Sequence, residues 1–263
     1  MRAICVTCGT EFAEAAAPPA TCPICLDERQ WVRWEGQAWT DGEALRRGHD
    51  LRIAPDGGTL GLDVQPAFAI GQRACIVEGP DGAVLWDCVS LVTDEAVRVL
   101  RERRVGAIAI SHPHYYTAMG AWSDALGGIP IHLHADDSDW VMRPHASIRF
   151  WEGETLALAT GLTLVRCGGH FAGAAVLHRE GGGGDLFVGD VLQVCQDRAS
   201  VSFMRSYPNY IPLGPAALDG IERALAPFAY GRVHGAFRGK SIEQDGKAAV
   251  ARSLARYRAA IAT

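Results

Sequence analysis

Five residues, His112, His114, His170, Asp190 and His234, each stand just past a short apolar run, where a strand would end and a loop begin. Imidazole and carboxylate at such ends are the side chains that hold zinc or iron(II), so the first chemistry they suggest is that of a bound metal. The run Val105–Ile110 is too short for a helix; it leads into Ser111, His112, Pro113, His114, Tyr115 and Tyr116, and then a helix-like segment from Thr117. Pro113 fixes its own φ and biases His112 toward an extended backbone, so the imidazoles two residues apart leave the same side of the loop. Three further runs follow: Leu162–Cys167 ends at Gly168, Gly169 and His170, Asp185–Val188 at Gly189 and Asp190, and Tyr230–Val233 at His234 and Gly235.

A second metal signal lies at the N-terminus. Cys5 and Cys8, then Cys22 and Cys25, have the paired CxxC spacing of a zinc ribbon. Four thiolates leave no open coordination position, so this zinc is expected to be structural and to fold residues 1–34, a stretch too short for a core of its own. Redox disulfides are the alternative. Trp31, Trp34 and Trp39 are expected to dock the ribbon on the main domain or on another subunit, which would make a homo-oligomer. Of the other cysteines, Cys75 and Cys88 fall opposite one another if the segment Arg73–Val89 is a hairpin turning at Asp81–Gly82. Cys167 and Cys195 read as buried thiols.

These groups need elements to hold them. Strand-rich blocks around 58–90 and 150–206, with helices after 93, 117, 215 and 242, suggest an α/β chain whose two sheets pack face to face with helices outside. Thr40 with Glu43 reads as a capping box, and Thr93 as the cap of a helix from Asp94 to Arg104. The arginines of that helix read as a solvated face. Pro215 opens a helix with Leu218, Ile221 and Leu225 on one stripe, and Val250, Leu254, Tyr257 and Ile261 stripe the last helix. Gly181–Gly184 is a hairpin loop. A second histidine pair, His132 and His134 before Asp136 and Asp137, sits in an alternating run and reads as strand and helix-cap residues.

From about Leu60 to Gly235 the order of these motifs resembles the metallo-β-lactamase-fold hydrolases, the superfamily of glyoxalase II-like thioesterases, lactonases and arylsulfatase-like enzymes. The resemblance includes Asp87, which ends Ala83–Trp86 where the family commonly carries an aspartate near the base of its metal site. It implies an αββα sandwich of two mixed sheets over residues 35–263. The family's first motif, HxHxDH, reads here with Tyr116 and Thr117 in place of its aspartate and last histidine, residues that bind a second metal. The first site, His112, His114 and His170, is complete, and Asp190 stands where the family has its bridging carboxylate. One tightly held ion is therefore expected, with Asp190 and His234 able to hold a second only weakly.

The mechanism implied is attack by metal-bound hydroxide on an ester, thioester or lactone carbonyl. Asp190 would orient the water and accept its proton; Tyr115 or Tyr116 would donate to the oxyanion or pack below the loop. His234 would shuttle a proton or support Asp190. Two other readings stay open: a mononuclear iron oxygenase using His112, His170 and Asp190 on a sulfur substrate, and a non-catalytic metal-binding protein. Substrate contacts are expected among Trp122, Trp140, Trp151, Phe203, Met204 and Tyr207, with Arg149 or Arg205 meeting an anion.

The 263 residues suffice for one large core, and a net charge of −5 argues against nucleic acid as the partner. No signal-peptide core or apolar run of membrane-spanning length is present in the sequence. A cytoplasmic enzyme acting on a small molecule, away from membranes, is expected.

Overall fold

The computed structural model describes residues 1–262. Two sheets form its centre. The first has seven strands in the order Asp50–Asp56, Thr59–Gln65, Arg73–Gly79, Gly82–Trp86, Val105–Ala109, Ile131–His134 and Ile148–Trp151. The second has six: Thr155–Ala159, Leu162–Arg166, Ala175–Arg179, Asp185–Phe187, Arg232–His234 and Ser241–Ile242. Both are mixed. Pairing is antiparallel up to Gly82–Trp86 and parallel from there to Ile148–Trp151. In the second sheet only Asp185–Phe187 and Arg232–His234 run parallel.

The alternation of side chains along each strand explains the layering, because successive residues point to opposite faces. Cys75, Val77, Val84, Trp86 and Ala109 of the first sheet meet Leu162, Leu164, Ala175, Leu177 and Phe187 of the second, and this is the core between the sheets. Their neighbours in sequence face outward: Ala74, Ile76, Ala83 and Leu85 pack against Ala96 and Leu100 of the helix Asp94–Glu102 and Trp122 of the helix Met119–Ala125. On the other side Val165, Val176 and Leu186 pack under Leu218, Ile221 and Leu225 of the helix Pro215–Leu225 and Val250 and Leu254 of the helix Gly246–Ile261. The result is the expected αββα sandwich. Strands covered on both faces must be apolar on both, which is why the central runs read as nearly continuous hydrophobic stretches.

Thr93 caps its helix by accepting the Ala96 amide, and Arg98, Arg101 and Arg103 bind Glu102, the Ala125 carbonyl and Glu78 on the surface. Other expectations require correction. The N-cap before Gly42–Gly48 is Asp41, whose carboxylate takes the amides of Glu43 and Ala44; Thr40 is instead paired with Ile4 in a two-stranded sheet. A charged acceptor one residue later is the better partner for those amides. The hairpin turns at Pro80–Asp81, with Gly79 opposite Gly82, because Pro80 has no amide to give the ladder. Cys75 therefore faces Trp86. Cys75 lies between the sheets and Cys88 on the outer side, and both are free thiols.

The N-terminal unit closes through the pairing of Ile4–Cys5 with Trp39–Thr40, so its small sheet draws in residues beyond 34. Trp39 packs edge-on against Phe12 within the unit, while Trp31 and Trp34 are exposed. Docking on the main domain combines apolar packing of Trp140 and Met142 against the cysteine cluster with polar contacts: Gln72 donates to the Cys8 carbonyl, Ser90 to that of Gly9, and Asn209 to those of Glu28 and Gln30. Among the described residues no helix is long and apolar enough to cross a membrane.

Candidate metal centre

Val105–Ala109 ends beneath Ser111, and Pro113 does what its ring dictates: His112 is fully extended at φ −171° and ψ 170°, and a 3₁₀ turn, Pro113–Tyr115, swings His114 back beside it. Gly168 and Gly169, at φ 67° and 82°, adopt the left-handed backbone that brings His170 across from the other sheet. Asp190 follows Val188 and Gly189. The imidazoles of His112, His114 and His170 and the carboxylate of Asp190 converge, each offering a ligand atom within 4.8 Å of the others, and all four are buried.

The orientation of each ring is set from behind. Asp87, at the end of Gly82–Trp86, accepts both the Ser111 amide and the Ser111 hydroxyl at 2.8 Å. With its own proton spent, Ser111 Oγ accepts from Nδ1 of His112 at 2.9 Å, which leaves the Nε2 lone pair of His112 facing inward. His170 donates from Nδ1 to the Met204 carbonyl at 3.2 Å, and its Nε2 likewise faces inward, 3.3 Å from Nδ1 of His114. Nε2 of His112 lies 3.5 Å from Asp190 Oδ2. Burial keeps His114 and His170 neutral. It drives His114 well below the usual imidazole range and, with the neighbouring His112, lowers His170 to about 3. Burial also works against the charge on Asp190, but the nearby imidazoles of His112 and His170 outweigh it and hold the carboxyl below its usual range. Asp87 is pushed by burial up to about 7.

This donor set fits a cation. Nε2 of His112 and Oδ1 of Asp190 are buried polar atoms without any partner, and inward lone pairs of neutral imidazoles have nothing to share but a positive ion. Three nitrogens and one carboxylate suit zinc or iron(II).

The remaining predicted site residues lie elsewhere. His234 joins Asp185 through Nε2 at 3.0 Å, faces Ser241 with Nδ1 at 3.4 Å and stacks on Phe187. Both nitrogens are engaged, so it stands outside the convergent group and its expected roles as second-ion ligand or partner of Asp190 fall away. Tyr115 gives its hydroxyl to the Ala236 carbonyl and Tyr116 to that of Asp137, so neither is free to donate to a substrate. His134 packs on Trp151 and accepts the Asp136 amide as a helix cap.

A cavity of about 410 Å³ opens onto His114, His170 and Asp190. Its walls are Arg29, Gln30 and Trp31 from the N-terminal unit, the loop at Ala67–Gly71, and Gln193, Tyr207, Pro208 and Phe237. Of the expected aromatic lining only Tyr207 is there; Trp122 and Phe203 are core, and Trp140 and Trp151 pack on Phe171 and His134. Arg149 and Arg205 are taken up by the Ala146 carbonyl and Glu28. Arg29, Gln30 and Ser111 are the residues that sequence reasoning missed, since a lone polar residue outside any periodic run gives no signal of its own.

The four cysteines are also brought together. Cys5 and Cys25 Sγ lie 3.6 Å apart, as do Cys8 and Cys22, and all four thiols are free. A disulfide would require about 2.05 Å, whereas sulfurs on a tetrahedron around zinc at about 2.3 Å stand roughly 3.8 Å apart.

Sheet order, helical layers and the convergent histidines define a protein of the metallo-β-lactamase fold. Solved structures of that fold include DIM-1 metallo-beta-lactamase, 16% identical, covering 80% of this chain and 98% of that one with a TM-score of 0.61. Another is the metallo-beta-lactamase FIM-1 from Pseudomonas aeruginosa in its mono-zinc form, 15% identical over 80% of this chain and 96% of that one, TM-score 0.55. At such identities the likeness is one of fold. No family model matches the chain. It belongs to the same family as the uncharacterized protein YmaE of Bacillus subtilis (strain 168), which is 40% identical over 261 residues, 97% of this chain and 94% of that protein.

Proposed function

We propose that this chain is a metal-dependent hydrolase in which His112, His114 and His170 hold one zinc ion beside the carboxylate of Asp190, and that its substrate is a small ester, thioester or lactone. The observation that carries the reading is the convergence of unpartnered, buried donor atoms at the floor of an open cavity. A zinc ion bound there would polarise the carbonyl and lower the pKa of coordinated water toward neutrality. The remaining work falls to the chain. Asp190 Oδ1, without a partner and on an ionised carboxyl, is the atom that takes the proton from the attacking water. Ser111 and Met204 hold His112 and His170 with their lone pairs inward, and Tyr115 pins the His112–His114 loop to Ala236. The Ala67–Gly71 loop and Tyr207 enclose the reacting group on the side open to solvent.

A single ion is favoured because the positions that would hold a second are occupied otherwise: Tyr116 by the Asp137 carbonyl, Thr117 by that of Tyr115, His234 by Asp185. The N-terminal cysteines we assign to a structural zinc. Reduced thiols at every cysteine suit a cytoplasmic setting. The test is turnover of a panel of 4-nitrophenyl esters, thioesters and γ-lactones by zinc-loaded protein, with metal analysis of the same sample. Hydrolysis of one class, lost in Asp190→Asn, is expected; oxygen uptake with iron at the inner site would contradict the reading.

A further inference from the structure

We propose that Arg29 is a positioning residue for the metal centre, the link by which the N-terminal four-cysteine unit holds the His170 loop in ligating form. The inference rests on the metal-binding reading above. Arg29 lies four residues after Cys25, yet its side chain is 9% exposed, an unusual place for a guanidinium. A buried charge persists only when it is paired and hydrogen-bonded, and each of the three guanidinium nitrogens has a partner. Nε and Nη2 form a two-pronged pair with Asp27 at 2.5 and 2.9 Å, and Nη1 donates to the carbonyl of His170 at 3.3 Å. The flat face covers the Phe171 ring at 3.8 Å.

Phe171 carries the effect to the other ligands. Its ring centre is 4.9 Å from that of His114, 5.2 Å from His170 and 5.7 Å from His112. One guanidinium therefore fixes the main chain of one ligand and the ring against which all three imidazoles pack. Gly168 and Gly169 give the loop no stiffness of its own, so contacts from outside must hold it. Because Asp27 neutralises Arg29, its part is geometric, with no charge left over for an anionic substrate. Lysine could not replace it, for an ammonium has neither the planar fork nor the stacking face.

The experiment uses full-length protein with zinc at the four cysteines, titrated with cobalt(II) at the inner site against a competing chelator. In Arg29→Ala the cobalt dissociation constant is expected to rise about 10–100-fold, with an altered visible spectrum and the cysteine-bound zinc retained. Arg29→Lys should recover only part of the affinity. If Arg29→Ala does not fold, Arg29→Gln gives the same reading, since it keeps a donor but loses the fork and the stacking. A merely structural residue would lower the unfolding midpoint and leave the cobalt spectrum unchanged. Wild-type affinity and spectrum in the folded variant would overturn the proposal alone; a wild-type protein that takes up no cobalt at the inner site would overturn the metal centre with it.

Discussion

Ser111 stands behind His112, its hydroxyl 2.9 Å from Nδ1, and passes to that imidazole the orienting hold of the buried Asp87 carboxyl. Removing the hydroxyl frees the ring to rotate and to change tautomer. Ser111→Ala is expected to weaken inner-site metal affinity about 10–100-fold with little change in fold. Chelator competition checks it, and unchanged affinity would argue that packing alone orients His112.

Gly189 precedes Asp190 at φ 49°, and a Cβ there would meet Ser111 Oγ at 2.5 Å and Ser111 Cβ at 2.6 Å. Gly189→Ala therefore strains the backbone and pushes on the residue that backs His112. A loss of roughly 1–3 kcal/mol in urea unfolding is expected, together with weaker metal binding.

Asp185 gathers Arg179, Arg232 and His234 around one buried carboxylate. Burial opposes its charge, but His234 and the two arginines outweigh it and hold the carboxyl well below the usual range. With the folded pKa below the unfolded value of about 3.9, its contribution is complete above that pH and disappears as pH falls through the folded pKa. Asp185→Asn should cost roughly 3 kcal/mol at pH 7, and the gap to the parent protein should shrink below about pH 4. Unfolding curves at pH 7 and at a series of values below about pH 4 decide this; a gap that stays constant across them would contradict it.

The four-cysteine unit is held by its sulfurs and by apolar and polar contacts to the main domain. Cys22→Ser is expected to release its metal and loosen the segment through Arg29 and Arg33, so that trypsin cuts after these two residues while the sandwich survives. Gel analysis and mass spectrometry of the fragments test it. A variant as resistant as the parent would show that docking alone holds the unit.

Much of this was legible in the residues. The short apolar runs ending in His112, His170 and Asp190 mark strand ends, and both cysteine pairs carry their spacing in plain sight. Less visible was where side chains turn after leaving a strand. His234 ends its strand as the ligands do, but Asp185 lies in the neighbouring parallel strand and captures it, a cross-strand contact that only register reveals. Pro80 shifted the hairpin and so separated Cys75 from Cys88. Arg29 was missed because its partners lie far along the chain, its contact to His170 spanning 141 residues.

The central claim is that His112, His114 and His170, beside Asp190, hold one metal ion that the chemistry requires. Metal analysis of the purified protein and of His112→Ala, alongside ester hydrolysis on the same samples, tests it most directly. The account predicts one ion at each of the two clusters in the parent protein, and in the variant only the cysteine-bound ion, with hydrolysis reduced at least about 100-fold. Metal at the cysteines alone in the parent, or undiminished hydrolysis by the variant, would contradict it.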